Sequence, residues 1–481
     1  MGLSYTSVLV ALLRHCHWAL QRAARQETSY LLFGRNRRGR VLHNNGNAQA
    51  VHVHGAPPPG QGKQQGSAVC TLLQQLFAAA PAVTMQVEQV VGAGPGALAP
   101  ERARPNHWYL LTPTSRAPAP APAPADAPAD APVDAPAAGA LPEPRVGHTA
   151  SYLPRQKKVV LLGGASPCAL YSEVWQLDLH RLTLDLLKPG PASPAAQPPQ
   201  RYEHCAFLPQ DLSDRIWVFA GANMEGNMND LWELDLAGEE WRALNCSGDA
   251  PGPRTLHTTT AEVSGALMVF GGGSQAASPV EDQTVFKLDP VSRSWTTVST
   301  RGDPPAPRQG HVLVGVGGKL LCHGGMAGNK FFSDLFVLEN GQWTAVEDDG
   351  RPAPSPRAGH GAVALGNFVY IFGGLGPHGS LDDMWKLDCG ALTWEEVLFE
   401  SDTPRPKPRL DFAMSLIWLP QHFTPQCSNG EAVAQNGVQS EDCSSPDSEK
   451  DIPFILLHGG MDDLGTIYND FHVFCLEDLT N

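Results

Sequence analysis

Residues 356–397 read PRAGHGAVALGNFVYIFGGLGPHGSLDDMWKLDCGALTWEEV. Four short apolar runs stand out, at 362–365, 368–372, 384–387 and 394–397, each of strand length. Turn formers separate them: Gly366-Asn367, then Gly373-Gly374 with Gly376-Pro377, then Cys389-Gly390. The unit therefore reads as a four-stranded antiparallel meander. One such sheet cannot bury both of its faces alone. The same pattern recurs through the chain at a period of about 50 residues, which predicts a β-propeller.

The repeats align by their marker residues. An Arg followed three positions later by His opens five of them: Arg145/His148, Arg201/His204, Arg254/His257, Arg308/His311 and Arg357/His360. A sixth Arg, Arg409, is followed by Phe412 instead. Next comes a glycine pair: Gly163-Gly164, Ala220-Gly221, Gly271-Gly272, Gly324-Gly325, Gly373-Gly374 and Gly459-Gly460. An acid then precedes the third strand: Glu173, Asp230, Asp282, Asp334, Asp383 and Asp470. Trp241, Trp295, Trp343 and Trp394 mark the fourth strand, where the first repeat has Leu184.

Each marker has a packing reason. A glycine inside a strand costs about 0.5–1 kcal/mol relative to alanine, so a repeated pair implies close approach of another backbone. Ala220 breaks one pair and is expected to keep a negative φ. Each Trp is large enough to seal one blade against the next, with about 200 Å² to bury. The Arg and the acid stand at fixed phases in every repeat, so they are expected to tie loops to their neighbours. Tyr171, Phe332 and Tyr468 also share a phase and are assigned to packing.

Together these residues resemble the Kelch repeat, from Arg145 to the C-terminus. The stretches at 201–223 (RYEHCAFLPQDLSDRIWVFAGAN), 319–335 (KLLCHGGMAGNKFFSDL) and 454–470 (FILLHGGMDDLGTIYND) further resemble Rab GTPase effectors with Kelch motifs, the Rab-nine effector group. That resemblance implies a non-enzymatic protein-binding scaffold. It further implies an effector that prefers the GTP-bound Rab GTPase of late endosomes and serves transport from endosomes to the trans-Golgi network. Other trafficking proteins are further possible partners. The implied location is cytoplasmic, peripheral to endosome and trans-Golgi membranes. An alternative reading is a substrate receptor of a cullin ubiquitin ligase, although neither a BTB domain nor a cullin-binding helical box is recognised. A third is an enzyme, since some Kelch propellers are sugar oxidases or sialic acid epimerases.

Composition narrows the classes. A formal net charge of −15 argues against a nucleic-acid binder. The ten cysteines are scattered, without CxxC or metal spacing, and read as reduced. Cys205, Cys322 and Cys475 fall inside predicted strands, where a thiol behaves as a small hydrophobe. No apolar run reaches the length of a transmembrane helix, and no signal peptide stands out. No P-loop is present: Gly325–Lys330 lacks the terminal Gly-Lys-Ser/Thr order. No GxSxG elbow and no asymmetric acid–base pair point to catalysis. The recurring histidines suit a metal only if they converge, and structural repetition explains them better. No cofactor and no metal are expected.

Residues 1–104 read as a disordered or weakly helical extension. Gly2 fits a myristoylation pattern, and His52 and His54 make an improbable two-ligand site. Residues 117–139 form a Pro/Ala linker of extended character, and 421–451 an acidic, Ser-rich disordered insertion with Ser445 and Ser448 as phosphorylatable positions. Too few residues follow Leu476 for the sixth blade to make its own fourth strand. The run at 106–112, NHWYLLT, is expected to supply it, with Trp108 in the sealing position. The propeller is thus expected to span 105–481 with six blades and no open edge.

Specificity is expected where blades differ, on the rim carrying the loops after the second and fourth strands. Asn223, Met224, Asn227, Met326, Asn329, Lys330, Phe331 and His378 are the candidate contacts there. Met224, Met326 and Phe331 are expected to be exposed anchors within a polar surround.

Overall fold

The computed structural model describes residues 103–115, 141–189, 197–210, 214–255, 261–275, 278–400, 403–420 and 451–476. The expectations for the N-terminal extension up to 102, the Pro/Ala linker and the insertion at 421–450 lie outside these residues.

The chain forms an all-β, six-bladed propeller. The first blade has strands Thr149–Leu153, Lys158–Leu162, Val174–Asp178 and Thr183–Leu187. The second has Cys205–Phe207, Arg215–Phe219, Leu231–Asp235 and Glu240–Ala243. The third has Glu262–Val263, Ala266–Val269, Val285–Asp289 and Ser294–Val298. The fourth has Val312–Val316, Lys319–His323, Leu335–Glu339 and Gln342–Ala345. The fifth has Gly361–Leu365, Phe368–Gly376, Gly379–Asp388 and Thr393–Val397. The sixth has Ala413–Pro420, Asp451–His458 and Phe471–Cys475, and its outer strand is Trp108–Leu111 from the other end of the chain. The register of that closing pair runs from Trp108↔Phe474 to Leu111↔Phe471.

The same N-terminal segment does a second thing that its sequence does not announce. Thr114–Ser115 pairs in parallel with Thr183–Leu184, the outer strand of the first blade. One short segment therefore completes the sixth blade and straps onto the first. An equivalent parallel strap, Ser247–Gly248 on Ser294–Trp295, joins the second blade to the third.

The core is divided among the six seams between blades. Trp241 is buried among Leu162, Val160 and Ile216 between the first two blades. Trp295 packs on Phe219 with ring centroids 4.8 Å apart, and Trp343 on Phe270 at 5.4 Å. Trp394 lies 5.1 Å from His323. Trp108, fully buried, meets Phe372 of the fifth blade at 5.4 Å and Phe474 of its own at 5.0 Å. At the seam between the sixth and first blades Leu184 and Leu111 join Phe454, Leu456 and Val473.

The glycine pairs adopt positive φ throughout; Gly373 is at +62° and Gly374 at +100°. A Cβ on Gly373 would stand 2.8 Å from the Arg409 carbonyl oxygen, inside any tolerable contact. Ala220 overturns the expectation of negative φ: it sits at +63° like its glycine counterparts. Its surroundings over-determine the turn. The Ala220 N–H donates to the Asp230 carbonyl, its own carbonyl accepts from Arg201, and the next N–H donates to the Arg254 carbonyl. That framework holds an alanine in a left-handed conformation that costs on the order of 1 kcal/mol.

Candidate functional site

Both kinds of loop on one rim are built on a repeated clamp. In the fifth blade Arg357 is fully buried and every edge of its guanidinium is used. Nε donates to the Ser355 carbonyl, Nη1 to the Gly373 carbonyl, and Nη1 and Nη2 to the two Asp383 oxygens, both at 2.7 Å. Arg145–Glu173, Arg201–Asp230, Arg254–Asp282, Arg308–Asp334 and Arg409–Asp470 repeat the pair. Aromatic rings lie under four of the guanidiniums, Tyr171 and Tyr468 at 4.2 Å, Phe332 at 4.3 Å and Phe286 at 5.4 Å. A guanidinium so satisfied is a fixture of the loop, with no donor left over for a ligand.

From this frame the loops after the second strands differ blade by blade. Met224, 52% exposed, sits at the tip of a tight turn in which Asn223 Oδ1 accepts from the Glu225 and Gly226 N–H groups. Asn227 faces its neighbour instead: Nδ2 donates to the carbonyls of Gly273 and Ser274 in the third blade at 3.0 and 2.6 Å. In the fourth blade Met326–Ala327 and Lys330–Phe331 form a small hairpin. Met326 and Phe331 are cross-strand partners there and are half-buried, which corrects the expectation that both are exposed. Asn329 and Lys330 remain exposed, with Lys330 Nζ 5.0 Å from the Phe332 ring. His378 is exposed at the turn of the long fifth-blade hairpin. Leu464, 70% exposed on the sixth-blade loop, was not among the sequence candidates. Its neighbour Asp463 accepts from Ser380 Oγ at 2.6 Å, joining the fifth and sixth loops.

At five of the six seams the first strands of adjacent blades touch around the axis. At their rim ends the backbones link blade to blade. Gly359 donates to the Gly310 carbonyl, Asp411 to that of Gly359, Gly147 to that of Asp411, and Glu203 to that of Gly147, at 2.7–2.9 Å. All five residues have φ between +50° and +67°. Two of them are acids where the others are glycine. Burial raises both carboxyls above the usual range, and the nearby Asp411 charge raises Glu203 further. The aligned Arg-x-x-His motifs carried the signal, because the third position reads Gly, Glu, Leu, Gly, Gly and Asp.

Among the described residues no group of three or more His, Cys, Asp or Glu is arranged to hold a metal ion. The six described cysteines are free thiols, with Cys205, Cys322 and Cys475 buried in strands. Among the described residues no helix is long and apolar enough to cross a membrane.

The model of the KLHDC2/KLHL20/DRC7 Kelch-repeats domain matches residues 132–278 and 257–419, together more than half of the chain. The Rab9 effector protein with kelch motifs of Homo sapiens is 42% identical over 204 residues, covering 41% of this chain and 53% of that protein. The protein of the same description from Danio rerio is 36% identical over 257 residues, covering 50% and 65%. The Rho GTPase-activating protein gacHH of Dictyostelium discoideum is 32% identical over 148 residues, 30% of this chain and 9% of that protein. The chain spans about half the length of the human relative it matches. With six clamped four-stranded blades and a family match over most of them, this chain belongs to the Kelch-repeat family.

Proposed function

We propose that this propeller is a protein-binding scaffold that acts as a Rab GTPase effector. The observation that carries this reading is the 36–42% identity to Rab9 effector proteins with kelch motifs. The proposed partner is the GTP-bound Rab of late endosomes, and the proposed setting is endosome to trans-Golgi transport, peripheral to those membranes. Binding, not catalysis, is the proposed activity.

The proposed contact surface is the rim bearing the loops after the second strands. Met224 supplies an exposed apolar anchor, with Asn329, Lys330 and His378 as polar neighbours and Met326 and Phe331 as a half-buried base. Asn223 and Asn227 act by shaping the loop that presents Met224. Leu464 is added to the set on its exposure.

The test is side-by-side binding of the full chain to GTP-loaded and GDP-loaded Rab9. A clear preference for the GTP form is expected. Exchange of Met224→Ala together with Lys330→Glu is expected to weaken binding at least tenfold while leaving the melting temperature unchanged. No binding to either nucleotide state overturns the reading, and a cullin pull-down then decides whether the ligase-receptor alternative takes its place.

A further inference from the structure

The six seams are not chemically alike at one position. At the five seams where both residues are described, the residue just before the glycine pair faces the opening histidine, or its counterpart, on the next blade. Over all six pairs that residue is Leu162, Phe219, Phe270, His323, Phe372 and His458 in chain order. Phe372 meets Phe412 at 5.7 Å, and Phe270 meets His311 at 6.0 Å. His204, opposite Leu162, finds the Thr149 hydroxyl at 3.0 Å. Two seams instead bring imidazole onto imidazole. His148 Nε2 lies 2.8 Å from His458 Nδ1 between the first and sixth blades, and His323 Nδ1 lies 3.1 Å from His360 Nε2 between the fourth and fifth. All four side chains are at most 2% exposed.

We propose that these two histidine-paired seams are proton-operated catches, holding the ring shut near neutral pH and loosening it as the imidazoles take up protons. This does not depend on which partner the rim binds.

The geometry gives the reason. An N–H···N bond between imidazoles needs one donor and one acceptor, which a neutral pair supplies and a doubly protonated pair cannot. Protonating both rings leaves two donors face to face. Around His148 and His458 lie the guanidiniums of Arg145 and Arg409, engaged by Glu173 and Asp470, with Asp470 also held by His472 and the buried His204 beyond them. Around His323 lie Arg308 and Arg357, each engaged with its own clamp acid, Asp334 and Asp383. Among the described residues the second nitrogens find no partner: His148 Nδ1 and His323 Nε2 are buried without a hydrogen bond. Phe471 covers His458 at 4.1 Å and Trp394 covers His323 at 5.1 Å. Burial, with the arginine charges, pushes His458 and His323 down from 6.5 to about 3, and His148 well below 6.5. A group depressed in this way contributes stability that is present above pH 6.5 and is lost as pH falls toward 3. The unfolding or opening constant rises roughly tenfold per pH unit for each such imidazole.

The seam between the first and sixth blades is also the one that the N-terminal strap spans, so opening there undoes ring closure. The test is amide hydrogen exchange of the full chain at pH 7.5 and pH 5.5, each corrected to its intrinsic rate. The strands Thr149–Leu153 and Asp451–His458 are expected to lose protection at pH 5.5 by at least tenfold more than Arg215–Phe219, whose two seams carry no described histidine pair. The double exchange His148→Phe/His458→Phe copies the phenylalanine seam the molecule already builds, and is expected to abolish that difference. Equal loss in all three strands, or no loss at pH 5.5, overturns the proposal. Should the double variant fail to fold, the comparison within the wild-type chain decides by itself.

Discussion

The fifth and sixth blades differ in how they are made. The fifth is one uninterrupted run, 361–397, and its second and third strands extend into a hairpin closed at Pro377-His378. The sixth is assembled from residues 413–420, 451–458, 471–475 and 108–111. Its sheet order and its clamp are nevertheless those of the fifth, with Arg409 and Asp470 standing where Arg357 and Asp383 stand. Local continuity is therefore not what makes a blade. The seam contacts and the clamp make it, and the chain is free to supply strands from either end. What differs is the reference state, since the sixth blade must close a loop of several hundred residues before its outer strand can pair.

The sharpest way to break this comparison is to remove the equivalent tryptophan from each blade. Trp108 is fully buried between Phe372 and Phe474, and Trp394 is half-buried. Trp108→Ala is expected to cost about 3–5 kcal/mol, and Trp394→Ala less. Equal falls in melting temperature would sink the idea that the N-terminal strand is the structural latch.

A second comparison removes the clamp arginine. Both guanidiniums are fully buried, and losing either strands a largely buried carboxylate at a cost of about 3 kcal/mol or more. Arg409→Ala is expected to be the milder, because Asp470 keeps His472 Nε2 at 2.9 Å, while Asp383 keeps only the Trp385 indole. Urea denaturation of the two variants would check the order.

The clamps also set an acid limb distinct from that of the histidine seams. Burial alone would raise the Asp383 and Asp470 carboxyls. The guanidinium hydrogen bonds outweigh it and hold both below 3.8, with Asp470 the further depressed. Their contribution is thus present above the ordinary carboxylate range and is lost only as pH falls below about 4. Asp470→Asn should remove more of that limb than Asp383→Asn in pH-dependent unfolding. The wild-type curve is expected to begin falling below pH 6.5 through the seams and to steepen below about 4 through the clamps.

The smallest effect is at the one broken glycine pair. Ala220→Gly is expected to stabilise by about 1 kcal/mol, since glycine takes φ of +63° without strain. Gly373→Ala should do the reverse and by more, because its Cβ would collide with the Arg409 carbonyl. Differential scanning calorimetry resolves both.

Much of this was legible in the residues. The glycine pairs, the Arg and acid phases and the tryptophans recur with the blade, so periodicity alone located the strands and predicted that a distant strand must seal the last sheet. The rim was harder to read. Met326 and Phe331 look like free anchors in a linear sequence, and only the hairpin pairing shows them half-buried against each other. The Ala220 backbone was misread for a related reason. Its φ is dictated by hydrogen bonds to Arg201, Asp230 and Arg254, the last on the next blade, and not by the residue itself.

The sequence by itself determined what repeats: six copies of a meander, the residues that clamp each loop, and the need for Trp108 at the far end. Those follow from local pattern, because each marker answers a demand inside its own blade or at a seam of known phase. Only the tertiary structure decided what meets across the seams. The strap of Thr114–Ser115 on the first blade, the facing of His148 with His458, and the two acids in the axial ring join residues from about 55 to 310 positions apart, or neighbours in space whose phase no single repeat reveals. Contact across a seam depends on how two sheets are set against each other, and that is a property of the closed ring.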